Sequence, residues 1–299
     1  MTEMIDTVAM YFSFPFVQYA FLAGVAIALS SSMLGVTLVL KRFSYIGDGL
    51  SHVAFGAMSV SAAFKVVFES LSKSAGEGSF PSKLFENDIV FVLPITVIAA
   101  ILILCARDSS KIKGDASVAM ISVGSLALGY FVMNIFSPPS NLSGDVCSTL
   151  FGSTLILTLT KVDMVLSVVI SLLVVCFFVF FYNRIFAITF DPDFAFACGT
   201  PTRLLNIVMA SVIAVIIVLA MNLVGTLLIS ALIIFPPISA MMLSKSFKGV
   251  TVLACAVSVF GAASGLLVSI VAGTPVGSTI VIINIVCFVV CKLISIFQK

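Results

Sequence analysis

Met164-Val165-Leu166-Ser167-Val168-Val169-Ile170-Ser171-Leu172-Leu173-Val174-Val175-Cys176-Phe177-Phe178-Val179-Phe180-Phe181-Tyr182 runs for nineteen residues without a charge. As a helix rising ~1.5 Å per residue it is about 28 Å long, close to the ~30 Å hydrocarbon core of a bilayer. A barrel strand would alternate apolar and polar over ~10 residues, and this run does not alternate. Similar runs occupy Phe14–Leu40, Phe43–Phe68, Ile89–Ala106, Ala116–Phe136, Leu204–Met221, Val224–Leu243, Val250–Ala272 and Val276–Cys291. That makes nine candidate spans. Only Asn222 and Leu223 part the sixth from the seventh, so one long bent helix, or a span followed by a re-entrant piece, fits as well, and the count is eight or nine.

Composition agrees with the runs. Of 299 residues, 61% are apolar and 9% charged, with a mean hydropathy of +1.28, whereas a soluble domain has about 25% charged residues. Too little polar surface exists to wrap a water-soluble core. The expected fold is all-α: a polytopic transmembrane helix bundle forming one domain over residues 1–299. A net charge of +2 with no basic cluster gives no footprint for nucleic acid. Met1–Ser13 has Glu3 and Asp6 but no Lys or Arg, unlike the charged start of a signal peptide. Six cysteines (105, 176, 198, 255, 287 and 291) lie in or beside apolar runs, leaving only Cys147 in an outward loop, so no disulfide framework is expected. Cys287 and Cys291 share a helix face but have no third ligand nearby, and read as small packing residues.

Eleven of the fifteen cations fall on one side of the alternating spans: Lys41, Arg42, Arg107, Lys111, Lys113, Arg184, Arg203, Lys245, Lys248, Lys292 and Lys299. Lys65, Lys73, Lys83 and Lys161 fall on the other. The positive-inside rule then puts the N-terminus outside and the C-terminus in the cytoplasm. Eight acids, Glu3, Asp6, Glu69, Glu77, Glu86, Asp88, Asp145 and Asp163, share the outer face with those four cations. A net-negative face would concentrate metal cations, although a positive-inside bias alone leaves the same imbalance.

Ionisable residues inside a span mark functional sites by default. The second span reads Ser44-Tyr45-Ile46-Gly47-Asp48-Gly49-Leu50-Ser51-His52 and holds the only histidine of the chain. Asp48 and His52, four apart, project from one helix face a turn from each other. A carboxylate and an imidazole suit a divalent ion such as Zn²⁺, Mn²⁺ or Fe²⁺; a private pair fixing the helix, or a proton relay, fits the same residues. Counted from Phe43, His52 lies ~13 Å deep. Gly47 and Gly49 allow close approach or a loosened backbone at this point. Asn134 and Asn284 are expected to hydrogen-bond neighbouring helices, Gly261 and Gly265 to mark close packing, and Pro236-Pro237 to kink or break the seventh span.

Between the fifth and sixth spans, Asp191-Pro192 is an N-cap followed by proline at the first helical position, and Gly199 is a stop about two turns later. A short cytoplasmic helix displaying Phe194 and Phe196 is predicted, covered either by a protein partner or by lipid headgroups.

Together these residues resemble the ABC-3 family, the integral-membrane permeases of bacterial ATP-binding-cassette importers for zinc, manganese or iron. The likeness runs from about Phe14 to Ile285. It rests on Lys41-Arg42 with Ser44–His52, Leu150-Phe151-Gly152, Phe190-Asp191-Pro192 with Ala195 and Gly199, Val224–Pro236, and Thr274-Pro275-Val276-Gly277. Pro236-Pro237 departs from the family's Pro-Ala, and the loop Glu69–Asp88 is long for it. The resemblance implies that Asp48 and His52 are transient metal ligands. It also implies that the helix of Asp191, Pro192, Phe194, Ala195 and Gly199 couples to a cytoplasmic ATPase subunit. Two permease copies and two ATPases would form the translocator in a bacterial cytoplasmic membrane, fed by an extracytoplasmic metal-binding solute-binding protein. The divalent metal is then substrate, no cofactor is needed, and transport proceeds by ATP-driven alternating access.

The residues themselves leave two rivals. An ion- or proton-coupled secondary carrier would use Asp48 and His52 without an ATPase, though no internal repeat of the kind many carriers show is visible. An intramembrane zinc enzyme wants three ligands, and one histidine with no H-E-x-x-H leaves too few. No G-x-x-x-x-G-K-[ST] occurs, so the chain is expected to hydrolyse no ATP.

Overall fold

The computed structural model describes residues 10–43, 45–75, 89–106, 114–136 and 159–297, and among them there are helices and turns but no strand. In chain order the helices are α1 (Pro15–Leu40), α2 (Ile46–Ala75), α3 (Ile89–Ala106), α4 (Gly114–Phe136), α5 (Lys161–Phe180), α6 (Tyr182–Phe190), α7 (Pro192–Ala197), α8 (Thr202–Val224), α9 (Thr226–Leu243), α10 (Phe247–Ala272) and α11 (Val276–Phe297). Each of the nine apolar runs has become a helix. Eight are long and apolar enough to cross a membrane. The remaining one, α3, has a shorter apolar stretch, Phe91–Ile103. Its Val92, Thr96, Ala100 and Ile103 form one buried stripe, set against α2 and α8.

The helix ends follow from local chemistry. Thr160 and Asp163 form a reciprocal capping box that starts α5. At the end of α1, the Phe43 N–H reaches back to the Leu38 carbonyl and the Arg42 N–H to that of Val39. This is a Schellman closure with Arg42, at φ +61°, in the left-handed position usually given to glycine. It reverses the chain within three residues and aims it into α2. That helix begins at Ile46 rather than Phe43 and continues past Phe68 to Ala75.

The sixth and seventh runs are two helices. The break falls at Gly225, with φ +93° and ψ 161°, later than the Asn222-Leu223 boundary. That backbone region is essentially open to glycine alone, so a helix crossing it must stop and restart. Pro236 and Pro237 lie inside α9, which stays helical through them to Leu243.

α1, α2, α8 and α9 are the inner helices, whereas α4, α5 and α11 keep little of their apolar surface inside the chain. With no water to exclude between helices, close backbone approach and polar contacts hold such a bundle. Ser258 on α10 donates to the Ala28 carbonyl of α1 at 2.7 Å, and Ser30 on α1 meets Ser171 on α5 at 3.3 Å. Gly261 and Gly265 do mark close packing, between α10 and α11. A Cβ on Gly261 would lie 2.8 Å from Asn284 Oδ1, and one on Gly265 would lie 2.5 Å from Ile280 Cγ1. Asn284 differs from its expected role. Its Nδ2 donates to the Ile280 carbonyl of its own helix at 2.9 Å, and its buried Oδ1 has no hydrogen-bond partner, because Gly261 offers it backbone contact and no donor side chain.

Leu150-Phe151-Gly152, Cys147 and most of the loop Glu69–Asp88 lie outside the described residues.

Candidate metal pair and cytoplasmic docking helix

The first two turns of α2 carry the pair. His52 Nε2 and Asp48 Oδ2 are 3.6 Å apart. That exceeds a direct hydrogen bond. Two ligand atoms at ~2.1 Å from a shared tetrahedral ion would be about 3.4 Å apart, so the observed spacing fits an ion between them with little movement. The Asp48 side chain is 50% exposed and that of His52 24%. His52 Nδ1 is buried and has no hydrogen-bond partner.

α2 is otherwise packed on nearly every side. Ile46, Leu50, Ser51, Val53, Ala54 and Phe55 are buried. Tyr45, Asp48 and His52 form a short open edge on its first turns; beyond a buried stretch, exposure returns partly at Met58 and Val60 and fully at Phe64. The two flanking glycines explain the tight packing. A Cβ on Gly47 would come 3.1 Å from Ile233 Cδ1 on α9, and one on Gly49 would come 2.6 Å from Val118 Cγ1 on α4. Of the two possibilities open in the sequence, the glycines therefore serve close approach; the helix is not loosened here. Since α2 begins at Ile46, His52 lies about 9 Å along it, nearer the α1–α2 turn than a count from Phe43 gives. Among the described residues no cluster of three or more His, Cys, Asp or Glu could hold an ion.

The proline pair of α9 bears on the same spot. Pro237 has no N–H to offer the Ile233 carbonyl, and that oxygen is turned toward Gly35 of α1, where an added Cβ would collide with it. One residue of α9 thus touches α1 through its backbone and, at Gly47, the turn that carries Asp48 through its side chain. Nothing in the sequence marks Ile233 for this. Nor does it mark Asn206, whose Oδ1 accepts from Lys41 Nζ at 3.0 Å and pins the α1–α2 turn to α8.

The second feature is the short helix α7. Asp191 Oδ1 accepts from the Phe194 N–H at 2.9 Å, and Pro192 opens the helix. Gly199, at φ +80°, ends it, with the Thr200 N–H closing onto the Ala195 carbonyl. Phe194 and Phe196 are 65% and 70% exposed, while Ala195 is buried in a cluster with Ile188 of α6 and Leu205 of α8. α7 is therefore a fixed knob with two rings facing outward.

Long apolar helices arranged in order, an acid–imidazole pair inside them and an exposed aromatic knob on one face define a multi-pass membrane permease. Residues 13–295 match the ABC 3 transport family, and the chain belongs to that family. It is 26% identical over 286 residues to the manganese import system permease protein ScaB of Streptococcus gordonii, covering 96% of this chain and 94% of that one. It is also 26% identical over 261 residues to the high-affinity zinc uptake system membrane protein ZnuB of Buchnera aphidicola, covering 87% and 90%. Its fold matches the solved structure of PsaBC from Streptococcus pneumoniae in complex with Fab, with a TM-score of 0.76 at 23% identity over 97% of this chain and 94% of the other.

Proposed function

We propose that this permease carries a divalent transition metal ion, zinc or manganese with ferrous iron as a third possibility, into a bacterial cell across its cytoplasmic membrane. The observation that carries the reading is the Asp48–His52 pair. It is spaced for a shared ion at 3.6 Å and set on the open edge at the start of a helix largely buried elsewhere. Two protein ligands suit an ion in transit, because closed four-ligand sites are the ones that hold it permanently.

An open edge on an inner helix also supports a permease homodimer, in which the edges of two copies line the pathway between them. ATP hydrolysis belongs to a separate cytoplasmic ATPase subunit, since the chain has no phosphate-binding loop of its own. Phe194 and Phe196 dock on that subunit, and the acidic outer loops receive metal from a solute-binding protein. Closure of the ATPase pair then moves α7 and switches which side Asp48 and His52 face. Binding energy alone cannot drive an ion uphill. The switch must bias the pair between two states, and ATP supplies the difference.

Reconstitution tests this reading against a secondary carrier. Proteoliposomes holding permease, ATPase and binding protein should accumulate radiolabelled metal only with ATP, and omission of the ATPase should abolish accumulation. Equal accumulation without the ATPase, driven by a proton or ion gradient, would replace the reading with the secondary carrier.

A further inference from the structure

The geometry points to Phe247 as the positioning residue through which movement of α7 reaches α10, so that its ring couples ATP hydrolysis to transport. The inference rests on the proposed role of α7 and adds the contact by which that helix acts on the bundle. Asp191 is at once the last cap of α6 and the first cap of α7. Ala195 is also packed on Ile188 of α6, so the two short helices form one body.

From that body two rings, Phe186 and Phe190, one turn apart and 4.9 Å from each other, meet Phe247 at 5.3 Å and 6.0 Å. Phe247 also meets Tyr182, the first residue of α6, at 5.3 Å and Phe178, near the end of α5, at 6.5 Å. Phe247 is buried at the first position of α10, where Ser246 caps the helix by accepting from the Gly249 N–H at 3.1 Å. Four rings thus hold the end of a long helix by a fifth.

Aromatic rings have few rotamers and preferred mutual angles, so a push on α6 displaces α10 and is not absorbed by side-chain rearrangement. α10 passes the displacement on. Its Ser258 is bonded to the α1 backbone, and α1 leads through the Arg42 turn into the metal-bearing start of α2. α7 also touches α8 directly through Ala195 and Leu205, but among the described ring contacts only those of Phe247 join α6 to α10.

The test is the number of metal ions accumulated per ATP hydrolysed, measured in proteoliposomes containing the whole assembly. Phe247→Leu keeps the apolar bulk and removes the ring. It should lower that ratio about five-fold, within the range seen for residues on coupling routes, with hydrolysis still running. Phe247→Tyr, which restores a ring, should return the ratio toward native. Phe186→Leu, at a partly exposed position outside the bundle core, should give a smaller fall of the same kind and serves if Phe247→Leu does not assemble. A native ratio in Phe247→Leu, or in Phe186→Leu where that variant stands in for it, would overturn the inference and leave the proposed function standing. So would hydrolysis and transport falling together at constant ratio. A native assembly without ATP-driven uptake would overturn both.

Discussion

Gly35 shows what one missing methyl does in this bundle. Its hydrogen side lies on the Ile233 carbonyl that Pro237 leaves without its helical donor, and a Cβ there would collide with backbone rather than with a movable side chain. The contact joins two inner helices at the level of the Asp48–His52 pair. Gly35→Ala should therefore cost about 1–3 kcal/mol, the usual penalty of overpacking, read as a lower Tm of the purified permease. Gly124→Ala, inside α4 at a position with nothing within 4 Å, should leave the Tm no lower and raise it slightly, because alanine is the better helix former. Equal Tm values for both variants would show that α1 and α9 do not pack as described.

At the scale of elements, the apolar runs marked their helices because lipid tolerates no unpaired backbone, and a run long enough to span must satisfy itself as helix. Asp191, Pro192 and Gly199 predicted both ends of α7 because caps depend on neighbours in sequence. Long-range effects were hidden. The sequence shows Asp48 and His52 one turn apart, but not that Gly47 and Gly49 press the same turn against α9 and α4, because those partners lie far along the chain. Polarity points to Asn222-Leu223 as the break, but backbone conformation decides it, and the helix ends at Gly225. Asn284 suggests a bond between helices, yet its amide donates to the backbone of its own helix and its Oδ1 finds no partner across the interface. Phe247 carries no signal at all, for it is one phenylalanine among 27.

For the whole molecule, orientation is the property that every functional statement needs. Lys41 and Arg42, Arg184, Arg203, Lys245, Lys248 and Lys292 sit at turns or helix ends that the order of the spans brings to one face, the face that also bears α7. Cys198, the exposed cap residue of α7, reports on it. In a variant retaining Cys198 as its sole cysteine, a membrane-impermeant maleimide should label inside-out vesicles and leave intact cells unlabelled. Labelling of intact cells would reverse the topology and place α7 outside.

The most direct measurement is radiometal accumulation by cells expressing the permease with its ATPase and binding protein, comparing the native chain with Asp48→Ala and His52→Ala at equal protein level and assembly. Zinc, manganese and iron are offered in turn. Both variants should lose uptake at least about ten-fold, since even outer partners of metal ligands cost that much, and the preferred ion names the substrate. Full uptake in either variant would reduce the pair to a packing contact and place the ion's path elsewhere in the bundle.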